Sequence, residues 1–319
     1  MRFLLCEPAD FSESALQTLY QAGHEVVAFD PGTLDFGEEL KKAEGLIVRL
    51  GIRFTAEVLA EAPRLQVILT PTTGLDHIDL EAARERGIEV LCLRELPGLD
   101  EVTSTPEHAF ALLLALVRNI PAAAASVLRG EWNRDAFVGR ELKGKRVGII
   151  GCGRTGSRFG DYCEAFGMNI SYVDPVVRHS VWKRIEDVRT LAMESDILSL
   201  HVHLAETTRY MLDRNFFNAC GRKPYLINTS RGGLVDEEAL LEALASGMLS
   251  GYAADVVENE PERGRTWASP LLEYARSHDN VLLTPHIAGA TQDAMRHTEN
   301  MIVKAFLKWH RRGQEGKNA

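Results

Sequence analysis

Lys145-Arg146-Val147-Gly148-Ile149-Ile150-Gly151-Cys152-Gly153-Arg154-Thr155-Gly156 reads as a short buried strand, a glycine turn and the start of a helix. In the pattern G-x-G-x-x-G, Gly151 permits the tight turn and Gly153 lets backbone approach a pyrophosphate. Gly156 lets the helix pack close to its strand. The pyrophosphate then sits at the helix N-terminus, where unpaired N–H groups and the dipole favour an anion. The glycines alone are a common pattern, but a second strand follows, Asn169-Ile170-Ser171-Tyr172-Val173, and ends in Asp174. That acid lies 18 residues beyond Gly156, near the spacing of a carboxylate that hydrogen-bonds an adenosine ribose. The stretch predicts a dinucleotide site. Asp174 favours NAD over NADP, because a carboxylate repels a ribose 2′-phosphate.

Strand and helix signals alternate on both sides of this turn. Upstream, residues 3–6, 26–29, 46–48, 67–69 and 88–91 are short apolar runs that suit buried parallel strands. Helical periodicity lies between them at 14–22, 56–62 and 80–86, so the first hundred residues read as one doubly wound α/β lobe without a glycine fingerprint. Pro97-Gly98 ends that lobe. One long helix is expected from about 105 to 128, closed by Gly130. A second series of strands is expected at 146–150, 170–173, 197–200, 225–227, 251–254 and 281–283. A last helix, about 292 to 310, carries Met295, Met301, Ile302, Ala305, Phe306 and Trp309 at helical spacing. It is expected to return to the first lobe, and the tail from Gly313 to lack order.

The expected fold class is therefore α/β, with two doubly wound parallel-sheet lobes. A Rossmann NAD-binding domain (99–289) is inserted in a flavodoxin-like substrate domain (1–98 and 290–319). At 319 residues, two domains are the natural reading. Apolar residues make up 45% and charged residues 25%, as in a soluble globular chain. The net charge of -9 argues against nucleic-acid and anionic-membrane partners. The apolar stretch at the N-terminus is too short for a signal peptide, and 109–117 is too short to span a bilayer. Cys6, Cys92, Cys152, Cys163 and Cys220 form no C-x-x-C pair, which predicts reduced thiols in a cytoplasmic protein and no metal site. Cys152 lies inside the glycine turn, so its oxidation is expected to impair cofactor binding.

Three segments just beyond predicted strands hold groups for chemistry: Asn228-Thr229-Ser230-Arg231-Gly232-Gly233, Asp255-Val256-Val257-Glu258-Asn259-Glu260-Pro261, and Thr284-Pro285-His286-Ile287-Ala288-Gly289. Ligands of open α/β sheets bind at such strand ends. Histidine exchanges a proton near neutral pH, and a neighbouring carboxylate orients it. Arginine grips a carboxylate with two parallel bonds. Singly, each has an ordinary explanation as surface charge, turn or structural residue; it is their succession that points to a site.

With Thr72-Thr73-Gly74-Leu75-Asp76-His77-Ile78-Asp79, Pro106-Glu107-His108 and the fingerprint, these segments resemble the D-isomer-specific 2-hydroxyacid dehydrogenases over essentially the whole chain. The resemblance implies a two-lobed fold with its active site in a cleft, a homodimer held by the cofactor domain, and a small 2-oxo or 2-hydroxy acid as substrate. It implies that Arg231 binds the substrate carboxylate and carbonyl, that His286 is the general acid or base, and that Glu260 is its partner. Thr73, Gly74 and Leu75 would hold the carboxylate, with Arg49 near the substrate. Cofactor contacts would come from Thr73, Gly151, Gly153, Arg154, Thr155, Gly156, Asp174, His201, Thr208, Thr229, Asp255 and Gly289.

Within this family the reading leans to a 3-phosphoglycerate or a hydroxypyruvate/glyoxylate activity. The competing reading is a non-enzymatic NAD(H) sensor of the same fold, like the corepressors that share it. His203 stands where relatives have proline, Leu50 where many have serine, and Thr73 where phosphite-oxidising relatives have lysine. No regulatory domain is expected after the closing helix.

Overall fold

The computed structural model describes residues 1–94, 96–179, 181–261 and 266–315. The chain forms two compact units, one of Met1–Val102 together with the chain from Thr291, the other of Thr103–Pro261 and its continuation to Ala290.

In the first unit, β1 (Arg2–Leu5), α1 (Glu13–Gln21), β2 (Glu25–Ala28), α2 (Phe36–Lys42), β3 (Gly45–Ile47), α3 (Ala56–Ala60), β4 (Val67–Leu69), α4 (Leu80–Glu85) and β5 (Glu89–Leu91) alternate. The sheet order is β2-β1-β3-β4-β5, all parallel, which is the flavodoxin-like winding. Each helix has a side-chain N-cap (Ser12, Asp35, Thr55 and Asp79) that accepts a backbone N–H three residues on. Such a cap contributes about 1 kcal/mol. The unit extends past Gly98, because Leu99–Glu101 adds a short 3-10 turn before Val102.

The second unit opens with α5 (Ser104–Val117) and α6 (Ile120–Leu128). One continuous helix was the expectation here. Instead Asn119 adopts the left-handed conformation (φ 55°) and Pro121 occupies the first turn of α6, so the chain turns between them. Ala109, Phe110, Leu112, Leu113, Leu116 and Val117 of α5 are buried in this unit's core. Among the described residues, no single helix is long and apolar enough to cross a membrane.

There follow β6 (Arg146–Ile150), α7 (Arg154–Ala165), β7 (Asn169–Val173), β8 (Lys183–Arg184), α8 (Val188–Glu194) and β9 (Ile197–Leu200). Then come α9 (Arg214–Asn218), β10 (Tyr225–Asn228), α10 (Glu237–Ala245), β11 (Gly251–Ala254), α11 (Pro270–Ser277) and β12 (Val281–Leu283). The parallel order β12-β11-β10-β9-β6-β7-β8 reverses direction at β6, the switch point where such sheets bind ligands. Strand β8 escaped the sequence reading because two charged edge residues carry no burial signal.

The closing helix α12 (Gln292–Glu315) belongs to the first unit, where Ile302, Val303 and Phe306 are buried with Phe3, Leu5, Ile47 and Val67. It is helical through Gly313, which the sequence had placed in a disordered tail; residues 316–319 lie outside the described residues.

Candidate active site

The glycine turn between β6 and α7 is fixed by sterics. Gly151 has φ 87°, and a Cβ there would lie 2.4 Å from the His201 carbonyl oxygen. A Cβ on Gly156 would lie 2.0 Å from the Gly151 oxygen. A Cβ on Gly153 would meet nothing within 4 Å, so that side of the turn is open to a ligand. Gly153 is the N-cap of α7 and offers its first-turn amides no side-chain acceptor, at a turn where Arg154 and Thr155 are half-buried; such a helix start suits an anion. We expect Gly156→Ala to abolish NADH binding in a fluorescence titration and to lower stability by about 1–3 kcal/mol in denaturant unfolding.

Asp174 follows β7, the neighbour of β6, and is buried. Its carboxylate accepts the N–H groups of Cys152 (2.8 Å), Val176 (2.8 Å) and Val177 (2.7 Å). Burial opposes its ionisation, but these bonds and the nearby Arg178 outweigh it, and the carboxyl titrates below its ordinary value. Asp174 therefore also ties the glycine turn to β7, a role its position at a strand end does not announce. Cys152 is buried in that turn, and burial raises its thiol. The oxidation sensitivity expected of it does not suit a shielded, protonated thiol.

His201 follows β9 and bonds Ser199 Oγ through Nε2 at 2.8 Å. Burial pushes its pKa down to about 3, so the ring is neutral at physiological pH. Its Nδ1 and the hydroxyl of Thr229, just after β10, are buried and have no hydrogen-bond partner among the described residues. Two orphaned polar atoms on neighbouring strand ends, beside a cradle open at Gly153, fit a polar dinucleotide. Thr208 is engaged within its own loop, its Oγ accepting from Ala205 N and donating to His203 O, each at 2.8 Å.

Three adjacent strands, β10, β11 and β12, deliver Arg231, Asp255 with Glu260, and His286 to one edge of the sheet. Gly232 makes the close approach possible: a Cβ there would lie 2.0 Å from the Val257 carbonyl carbon, so the loops after β10 and β11 touch. Arg231 is held from behind. Its Nη1 donates to Ser230 O at 2.8 Å, and Asn228 Nδ2 donates to Arg231 O at 3.0 Å.

His286 Nδ1 lies 2.6 Å from Glu260 Oε2. The two side chains are 25% and 32% exposed, shielded enough to strengthen the pair yet open to a substrate. His286 sits in the left-handed region at φ 54°, which for a side-chain-bearing residue needs support from its surroundings. Asp255 supplies it. Its carbonyl accepts His286 N–H at 2.9 Å, and its buried carboxylate accepts Ile287 N (2.9 Å) and Ala288 N (2.6 Å). Asp255, read from the sequence as a cofactor contact, is thus also the anchor of the histidine loop. Gly289, at the end of that loop, is exposed.

The remaining sequence candidates lie in the first unit, at the C-terminal ends of β3 and β4. Thr72 Oγ donates to Gly74 O and Arg94 Nε to Thr73 O, both at 2.7 Å, which fixes the turn carrying Leu75. Arg49, which the resemblance places near the substrate, also ties two segments of its own unit. Its Nη1 donates to Ala9 O at 2.8 Å and its Nη2 pairs with fully buried Glu299 of α12. Two apposed polar residues far apart in sequence give no one-dimensional signal of such a pairing.

Residues 110–288 match the family described as D-isomer specific 2-hydroxyacid dehydrogenase, NAD binding domain. The chain is 36% identical over 313 residues to the D-3-phosphoglycerate dehydrogenase of Methanocaldococcus jannaschii, covering 97% of this chain and 57% of that one. It therefore spans little more than half the length of that relative. It is also 36% identical over 270 residues to the hydroxypyruvate reductase of Thermotoga maritima, covering 84% of this chain and 85% of that one. Among solved structures, the D-lactate dehydrogenase of Aquifex aeolicus, complexed with NAD and lactic acid, superposes with a TM-score of 0.82 at 31% identity, covering 99% of this chain and 98% of that one.

Proposed function

The chain belongs to the D-isomer-specific 2-hydroxyacid dehydrogenase family, and from that premise we propose that it is an NAD-dependent oxidoreductase interconverting a D-2-hydroxy acid and its 2-oxo acid. The observation that carries this reading is the 2.6 Å contact between His286 Nδ1 and Glu260 on the sheet edge that also bears Arg231.

Bound NADH supplies the hydride that reduces the 2-oxo carbon. Arg231 grips the substrate carboxylate and polarises the adjoining carbonyl. His286 gives the carbonyl oxygen a proton from Nε2, while Glu260 holds Nδ1–H, fixes the tautomer and stabilises the imidazolium before transfer. In oxidation the same nitrogen takes the hydroxyl proton. The glycine turn, Asp174 and the orphaned His201 and Thr229 atoms would hold the dinucleotide.

The proposed 2-oxo substrate is hydroxypyruvate, glyoxylate or the oxo acid of 3-phosphoglycerate; hydroxypyruvate and 3-phosphoglycerate are the compounds in the names of the two relatives. NADH fluorescence against hydroxypyruvate, glyoxylate and 3-phosphohydroxypyruvate tests it. Tight NADH binding with no oxidation by any 2-oxo acid would leave a sensor, not an enzyme.

Asp174 should make kcat/KM for NADH about 100-fold above that for NADPH, because a like-charge contact costs several kcal/mol. Asp174→Asn should narrow that ratio; equal constants in the wild type would remove Asp174 from the ribose site.

A homodimer is part of the proposal. Leu128 and Trp132 of the second unit are each 89% exposed, and a second copy would cover them. The five cysteines are unpaired, which supports a reducing compartment such as the cytoplasm.

A further inference from the structure

We propose that His108 is a positioning residue for the acid–base histidine, acting through Thr284 and Asp255; the inference rests on the role given to His286 above. His108 lies in the first half of α5, in the Pro106-Glu107-His108 stretch to which the reaction as described gives no part. Its Nε2 is 3.0 Å from Thr284 Oγ and 3.5 Å from Asp255 Oδ1. Thr284 Oγ donates to Asp255 Oδ1 at 2.6 Å. A hydroxyl has one proton. With that proton committed to Asp255, Thr284 can only accept from His108, so Nε2 carries the hydrogen.

The chain of bonds then runs to the site in one direction. The N–H on α5 fixes the threonine hydroxyl, and the hydroxyl fixes the rotamer of a fully buried carboxylate. That carboxylate holds Ile287 N–H through Oδ1 and Ala288 N–H through Oδ2. These amides follow His286 directly, and together with the His286 N–H bond to Asp255 O they hold residue 286 in its left-handed conformation. Its Nδ1 is thereby aimed at Glu260. Without the outer donor, the Thr284 hydroxyl loses the bond that fixes it, its hold on the Asp255 carboxylate loosens, and the histidine loop gains freedom. The expected loss is in alignment for proton transfer, not in cofactor affinity.

The test uses the full chain with His108→Leu, Thr284→Val and their combination, and His108→Gln as the conservative variant whose amide N–H can replace Nε2–H. His108→Leu and Thr284→Val should each lower kcat about tenfold, with the Kd for NADH unchanged. His108→Gln should recover most of that loss, and the double variant should be no worse than either single, as members of one chain.

Imidazole NMR supplies a readout independent of turnover. The His286 Nδ1–H resonance, set by its bond to Glu260, should shift in His108→Leu and Thr284→Val and return in His108→Gln. A lowered melting temperature with that resonance unmoved would mean a merely structural histidine and would overturn the proposal, as would unchanged kcat in both single variants. Should His108→Leu fail to fold, the near-isosteric Thr284→Val decides by the same resonance. If the wild type reduces no 2-oxo acid, the dehydrogenase reading fails on its own, while the resonance still decides whether His108 positions His286.

Discussion

Replacing His286 by alanine is expected to lower kcat for reduction of the 2-oxo acid by about 1,000-fold at neutral pH, within the range a positioned general acid contributes. The imidazole is held by Glu260 at 2.6 Å, and it stands on the same sheet edge as Arg231. Removing it leaves substrate and dinucleotide binding largely in place, so the Kd for NADH should stay within about twofold and the loss should fall on kcat. The left-handed backbone at 286 is held by Asp255, not by the side chain, so the alanine variant should fold. Steady-state kinetics with a stopped-flow measurement of the first turnover separate chemistry from product release. A variant retaining wild-type kcat would refute the proposed acid.

Arg231→Lys should lower kcat/KM by about 100-fold, and Arg231→Ala by more. A guanidinium makes two parallel bonds to a carboxylate while facing the neighbouring carbonyl; an ammonium supplies a point charge on a flexible stem. Losing one charge-assisted bond costs about 1.5–3 kcal/mol, which corresponds to the predicted factor. The shortfall should appear in both KM and kcat, because the same group binds the carboxylate and stabilises charge developing on the carbonyl oxygen. Adding guanidinium ion to Arg231→Ala should restore part of the rate. A lysine variant with unaltered kcat/KM would place the carboxylate elsewhere.

Much of this site is legible in one dimension. Gly151 and Gly156 can be read because only glycine avoids a backbone oxygen at those places, so a steric need leaves a residue-level mark. Arg231, Glu260 and His286 can be read because each follows a short apolar run, and parallel strands deliver their C-terminal ends to one edge. Other residues carry two roles, and only one shows. Asp174 has the spacing of a ribose ligand, yet its three backbone bonds also fasten the glycine turn. Asp255 stands among cofactor candidates, yet its carboxylate is engaged by the histidine loop and Thr284. Arg49 has the charge of a substrate ligand but meets Glu299, 250 residues away along the chain. The break at Asn119 was hidden because helical periodicity runs through it, and a left-handed backbone at asparagine is permitted, not required.

The amino-acid sequence by itself determined the class of the fold and the glycine turn with its acid, and its resemblance to a known family pointed to the three residues proposed for the chemistry. The first two are local facts, set by apolar periodicity and by the room a turn leaves for a Cβ. Tertiary structure decided which charges gather at the candidate site and which tie other parts of the scaffold together. It placed β10, β11 and β12 side by side, bringing residues 231, 260 and 286 to one edge, and it turned Asp255, Thr284 and His108 into one chain of hydrogen bonds. The physical reason is that burial pattern records only whether a side chain leaves water. A hydrogen bond's partner depends on which strands become neighbours, and that is a property of the folded chain alone.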